Sequence, residues 1–280
     1  MSAARPTPRA RQGGVPPLPG VLRTSLARTG IELRDYSRSR DAVIFNVLFP
    51  VLFLFIFGSV FDGDVAPGVP FVQYFTAGMA ASGVLLVSFQ ALAINIAVER
   101  DTGTLRRLEG TPMPRSAYFL GKVGLVVVTG VVQLVVLLAC ARLFFDVPLP
   151  DGAGWGTFAW VAVLGIAAGS LLGIAYSSVP SSGRSAQAVV APVVLVLQFI
   201  SGVFFAFPTL PAWMQHVASV FPLKWLAQGF RSAILPERMG AAEVGGSWQH
   251  GQTALWLAGW TVAGLVLCVT TFRWRRRGDR

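Results

Sequence analysis

The sequence predicts an all-α fold: a polytopic membrane protein with six transmembrane helices, a cytoplasmic N-terminal amphipathic helix, and a reentrant outer segment between spans five and six. Three observations predict it. First, the 280 residues are 54% apolar and only 13% charged, with a mean hydropathy of +0.61; an ordinary soluble domain carries about 25% charged residues. One soluble core of this length cannot hide so much apolar surface, which excludes a soluble enzyme and a disordered chain. Second, the apolar residues gather into six runs near the ~20 residues that a helical span requires. Third, the basic residues sort to one side of those runs. Nineteen fall in the N-terminal arm, the loop after span two into the start of span three (Lys122), the loop after span four, and the tail; three fall in the long loop after span five, and Arg142 lies inside span three. The rule that cytoplasmic loops collect Lys and Arg then puts both termini in the cytoplasm of a multi-pass inner (cytoplasmic) membrane protein. Topology accounts for the net charge of +10, so no nucleic-acid partner is expected.

Residues 1–20 are rich in Pro and Arg and read as a disordered arm. Residues 21–40 read as an amphipathic helix. Leu22, Leu26, Leu33 and Tyr36 recur at helical spacing, with Arg23, Arg28, Arg34 and Arg38 elsewhere on the wheel. Such a helix lies on the cytoplasmic leaflet with its arginines on lipid phosphate, or turns its polar side to a cytoplasmic partner. The transmembrane unit covers 41–272, with spans at Ala42–Phe61, Tyr74–Val98, Ala117–Phe145, Phe158–Ser178, Ala186–Phe207 and Thr253–Phe272. The first apolar run starts some forty residues in and no A-x-A site follows, which speaks against a cleaved signal peptide. Residues 273–280 form a basic cytoplasmic tail. Cys140 and Cys268 sit in apolar runs and read as small core residues.

Two segments between spans stand out. After span two the chain reads ERDTGTLRRLEGTPMPR. Thr102 can cap a short helix over about 102–109 that holds Leu105 and Leu108, and Gly110, Pro112 and Pro114 end it. That helix either folds against the ends of its own spans or docks on another protein. After span five, about 208–231 is too apolar for a free loop and too broken by Pro208, Pro211 and Pro222 to span. Two short helices dipping into the outer leaflet are expected there, with Trp213 and Trp225 at interface depth.

The chemistry absent from the sequence is informative. The only lysines are Lys122 and Lys224, and neither stands in a Walker A pattern. His216 and His250 are the only histidines and lie far apart, so no metal or catalytic cluster is expected. No acidic residue lies centrally in a span, which disfavours a carrier driven by protons or sodium. A subunit borrowing energy from a partner ATPase fits better.

At these residues the sequence resembles a known family. The pattern E-R-x-x-G-T-L-x-x-L-x-x-T-P-x-x-R from Glu99, and the block SGVFFAFPTLPAWMQ followed by FPLKWLAQGFR, resemble the membrane subunits of type-2 ABC exporters. RSRDAVIFNVLFPVLFLFIFG at span one looks like the antibiotic-resistance branch typified by the daunorubicin resistance permease. The resemblance implies a homodimer of permeases served by separate ABC ATP-binding subunits, with ATP and Mg held there and no cofactor here. It implies a coupling helix docking in the ATPase, with Glu99, Arg100, Gly103, Thr104, Leu105 and Leu108 in its motif and Thr111 and Pro112 ending it. Asp101 stands where the family often has a second acidic residue. The amphipathic helix, through Leu22 and Leu26, would be a second contact. The path would run between the two copies, lined mainly by spans one, two and five.

Phe45, Phe49, Phe53, Phe57 and Phe61 recur every fourth residue along span one. They form either a packing stripe or an aromatic wall for a planar hydrophobic cargo. Asn46, Gln90 and Gln198 are the first choices among polar path residues. Uncharged amides inside spans also tie helices together. The expected function is thus the permease of an exporter for a hydrophobic small molecule such as an antibiotic. The rivals are a permease for a lipid-linked glycan or other lipid, and a sensor or scaffold that binds an ATPase and moves nothing.

Overall fold

The computed structural model describes residues 20–61, 63–272 and 274. The reading of 1–20 as a disordered arm lies outside the described residues except for Gly20, and the tail at 273–280 except for Trp274. Helix α1 (Val21–Arg38) breaks at Ser39 into α2 (Arg40–Val60). A small hairpin of β1 (Asp64–Ala66) and β2 (Val69–Pro70) leads to α3 (Phe71–Leu85). One π-helical turn, Leu86–Gln90, joins α3 to α4 (Ala91–Asp101). The short α5 (Thr104–Glu109) follows, then α6 (Arg115–Phe145), α7 (Gly152–Tyr176) and α8 (Gly183–Ile200). After α8 come α9 (Ala212–Val220), α10 (Pro222–Ile234) and α11 (His250–Thr271).

Six segments are long and apolar enough to cross a membrane: α2, the α3–α4 unit, α6, α7, α8 and α11. The chain therefore has the all-α architecture its composition predicts. Each span was anticipated, and most ends lie within a few residues of expectation. Local chemistry sets those ends. Asp151 caps α7 by accepting the Gly154 N–H at 2.9 Å. Ser182 and Ser185 form a reciprocal capping box at the start of α8.

Span five departs most from the reading Ala186–Phe207. It stops at Ile200, and residues 201–206 are irregular. Gly202 takes a left-handed φ of 74° there, which reverses the chain and ends the helix. The two expected helices of the following segment are present as α9 and α10. Trp213 is exposed, whereas Trp225 is buried and stacks on Trp256 of α11 at 5.9 Å. Trp225 is thus a core residue of α10.

Span two is the axis of the bundle: 78% of its most apolar window is buried, against 22% for spans one and six. Spans three, four and five and α10 all pack on it. Helix α1 lies along α6 with its polar face inward and its leucines outward. Ser25 and Glu32 are buried, while Leu22 and Leu26 are 73% and 65% exposed. Close approach explains how the polar face fits. A Cβ on Gly121 or Gly124 of α6 would collide with Arg28 or Thr29 of α1, so only glycine lets the polar face of α1 seat there.

Candidate functional site

The end of the bundle at α5 holds the first candidate site. Helix α5 has six residues, too few to be stable alone. Its start differs from the expectation that Thr102 caps it. Thr102 ends α4, and Gly103, at a left-handed φ of 76°, turns the chain into α5. A residue with a Cβ is strained at that φ.

Leu105 is fully buried in the core of its own chain. That corrects its place among the docking residues: it anchors α5 to the spans and offers a partner nothing. Arg106, Arg107, Thr111 and Pro112 are exposed, and Thr104 and Leu108 are half-buried. A partner approaching this end meets a cationic face rather than a leucine.

Glu99 and Arg100 also turn inward. Glu99 accepts hydrogen bonds from Lys122 Nζ at 2.5 Å and from Tyr118 Oη at 2.7 Å. Lys122 Nζ also lies 2.7 Å from Glu32, whose other oxygen pairs with Arg28 at 2.5 Å. Both cations sit over the Tyr118 ring, at 5.6 and 5.7 Å from its centre. Two positive and two negative groups thus join α1, the last turn of α4 and α6 immediately behind α5. Lys122 is 1% exposed. Buried charges persist only when paired and hydrogen-bonded, and this cluster is electrically neutral. Arg100 reaches across to α7, donating to the Ser177 carbonyl at 2.5 Å and its hydroxyl at 3.1 Å.

Sequence reading missed this cluster because Lys122 was counted with the basic loop. The available signal was its place two turns inside α6. A lysine at that depth needs an acid, and Glu32 and Glu99 are the acids at the same end.

The phenylalanine ladder is the second candidate. Ring centres of Phe45, Phe49, Phe53, Phe57 and Phe61 follow one another at 5.2, 4.4, 5.7 and 5.6 Å. Phe75 of α3 stacks on Phe57 at 5.0 Å, and Phe204 beyond α8 meets Phe53 at 5.7 Å. The stripe therefore runs along the seam of spans one and two, beside the turn that follows span five, and Phe45 and Phe61 at its ends are exposed. Two of the three polar path candidates are spent on other helices or on a neighbouring span. Asn46 points back to the Tyr36 hydroxyl at 3.4 Å, and Gln198 donates to Ser82 at 2.6 Å. Both tie helices together. Gln90 is buried in the π-helical turn, a feature frequent at functional positions.

At the opposite end, the segment after span five buries a second charged group. Arg231 is 0% exposed, donates to Glu243 at 2.7 Å and lies 5.0 Å from the centre of the Tyr74 ring. Lys224 stands 3.4 Å from the centre of the Trp225 ring. Burial, then the neighbouring Arg231 charge, lower the Lys224 pKa from 10.5 to about 8, against a smaller opposing pull from Glu243. The folded chain then releases this proton before the unfolded chain does. Stability is therefore expected to rise between pH 8 and 10.5. In Lys224→Met the apparent melting temperature at pH 7 should be higher and its rise above pH 8 should flatten; an unchanged pH profile would contradict this.

Comparison with known proteins agrees with the geometry. The sequence profile of the ABC-2 type transporter family matches residues 26–235, from α1 through α10. The daunorubicin resistance ABC transporter permease protein DrrB1 of Streptomyces coeruleorubidus is 25% identical over 231 residues, covering 80% of this chain and 72% of that protein. The inner membrane transport permease YadH of Escherichia coli is 24% identical over 191 residues, 68% of this chain and 73% of that protein. The putative transport permease YvfS of Bacillus subtilis is 21% identical over 194 residues, 68% and 77% respectively. With three quarters of its length matched, this multi-pass membrane chain belongs to the ABC-2 type transporter family of permeases.

Proposed function

We propose that the chain is one of two identical permease copies in an ATP-driven exporter of a hydrophobic small molecule, such as an antibiotic. Both termini lie in the cytoplasm of the inner membrane, on the side of α5. Family members work with ABC ATP-binding subunits, so ATP and Mg belong to the partner and this chain catalyses nothing. The observation that carries the reading is the build of the α5 end. An exposed Arg106–Arg107 face is fixed to the spans by Leu105 and, behind it, by the ion cluster at Glu99. A cationic surface held that rigidly suits an acidic groove on an ATPase and passes its motion to α1, α4 and α6 together.

The ladder supports the choice of cargo. Rings 4.4 to 5.7 Å apart, tilted at Phe49–Phe53 and stacked at Phe53–Phe57, offer aromatic contact between spans one and two. The daunorubicin resistance relative points to the same class of molecule.

The double variant Arg106→Glu/Arg107→Glu tests docking without disturbing the core. It should reach the membrane at normal level and bind the ATPase at least about tenfold more weakly, with loss of drug resistance. Normal resistance in that variant would overturn the docking face. A change in surface glycan with drug resistance unaltered would replace the drug by a lipid-linked glycan.

A further inference from the structure

Span six ends on an aromatic cluster at the α5 end of the bundle. Phe272 and Trp274 follow the last turn of α11, and both rings turn onto the start of α6. Arg115, Tyr118 and Phe119 stand there at i, i+3 and i+4 and share one helix face. The Trp274 ring meets all three. Its centre lies 5.5 Å from that of Tyr118 and 6.0 Å from that of Phe119, and the Arg115 guanidinium lies 5.5 Å from it. Phe272 meets Phe119 at 4.9 Å and Trp274 at 5.4 Å, with interplanar angles of 79° and 82°. Edge-to-face contact of this kind is the favoured arrangement of aromatic rings.

A tryptophan where a span leaves the bilayer is ordinarily an interface anchor at headgroup depth. Trp274 is instead half-buried, packed on α6. Along its length span six packs on α7 and α10, and at this cluster it also meets α6.

The cluster reaches α5 by two routes. The first is direct. Arg115, held over Trp274, lies 3.7 Å from Glu109, the last residue of α5. An exposed pair at that distance is weak alone, but the ring beneath fixes its cation. The second runs through the ion cluster. Trp274 packs on Tyr118, whose ring carries Arg28 and Lys122 and whose hydroxyl donates to Glu99. Arg100, the next residue, has its guanidinium 5.7 Å from the centre of the Phe272 ring while it donates to Ser177 of the neighbouring span. The end of span six is thus fastened to the last turn of α4, to the start of α6 and, through Arg115, to α5.

We propose that Trp274 is a positioning residue that clamps span six to the α5 end, so that a displacement of α5 by the partner ATPase reaches α11 as well as α1, α4 and α6. The inference rests on the docking role proposed above for α5 and adds a route to span six. It is independent of the cargo.

The test uses the full chain purified with its ATPase and reconstituted in nanodiscs. Hydrogen exchange is compared without nucleotide and after trapping with ATP, Mg and vanadate. In the parent, trapping should change exchange at 104–120 and also at 265–272. In Trp274→Ala the ATPase should stay bound and the change at 104–120 should persist. The change in rate at 265–272 should shrink by roughly 2- to 30-fold, the range expected when one link of a coupled network is removed. Trp274→Phe keeps a ring in place and should restore most of it. Phe119→Leu attacks the clamp from α6 and should show the same loss, so the test stands even if Trp274→Ala does not assemble. An undiminished response at 265–272 in these variants would overturn the clamp while leaving the docking role of α5 intact. So would a parent that responds at 104–120 and not at 265–272. A parent with no response at 104–120 would overturn the docking role, and the clamp with it.

Discussion

Lys122→Met is expected to cost 3–5 kcal/mol, among the largest single-residue effects in this protein. Removing one partner of a buried ion pair leaves an uncompensated charge, and losses of about that size follow. Here two carboxylates, Glu32 and Glu99, would face Arg28 alone, with Tyr118 still donating to Glu99. Domain stabilities run about 5–15 kcal/mol, so much of the chain should fail to fold. The check is the monodisperse fraction and the apparent melting temperature in mild detergent. Adding Glu99→Gln to Lys122→Met removes the surplus charge and should recover part of the loss. A Lys122→Met chain that melts like the parent would show that the cluster is hydrated rather than buried.

Arg231→Met is expected to have an effect of the same order at the other end of the bundle. Glu243 would remain buried without its cation, and Tyr74 would lose the charge against its ring. The pair fastens α10 to residues 237–243. The loss should therefore open this part locally before the spans separate. Hydrogen exchange should rise across 223–243 and stay unchanged in α6. Glu243→Gln should be milder, because an amide oxygen can still accept from Nε. Uniform protection in Arg231→Met would contradict the assigned role of the pair.

These two clusters also mark where the sequence was legible and where it was not. The six spans were readable because each hydrocarbon crossing imposes its own length and apolarity. The short helices around Leu105, Trp213 and Trp225 were readable from proline and glycine spacing. Which way their side chains face was not. Leu105 reads as a docking leucine, yet its burial follows from α5 folding back on its own spans. Helix α1 reads as amphipathic, but that its Ser25 and Glu32 side seats on the bundle is decided by Gly121 and Gly124 on α6, nearly a hundred residues away. Pairing Lys122 with Glu32 across 90 residues needs the fold. Local patterns show what a residue prefers, and distant packing decides what it meets. Asn46 and Gln198 illustrate the same limit: sequence cannot distinguish an amide lining a path from one spent on Tyr36 or Ser82.

In the function proposed above, a separate ATPase moves this permease through the α5 end. The most direct measurement is a tagged purification of the chain from native membranes in mild detergent, with identification of what accompanies it. A stoichiometric protein bearing a Walker A motif is predicted, and Arg106→Glu/Arg107→Glu should lose it. An intact, dimeric preparation of the parent chain without any ATPase would contradict the claim and favour a membrane sensor or scaffold.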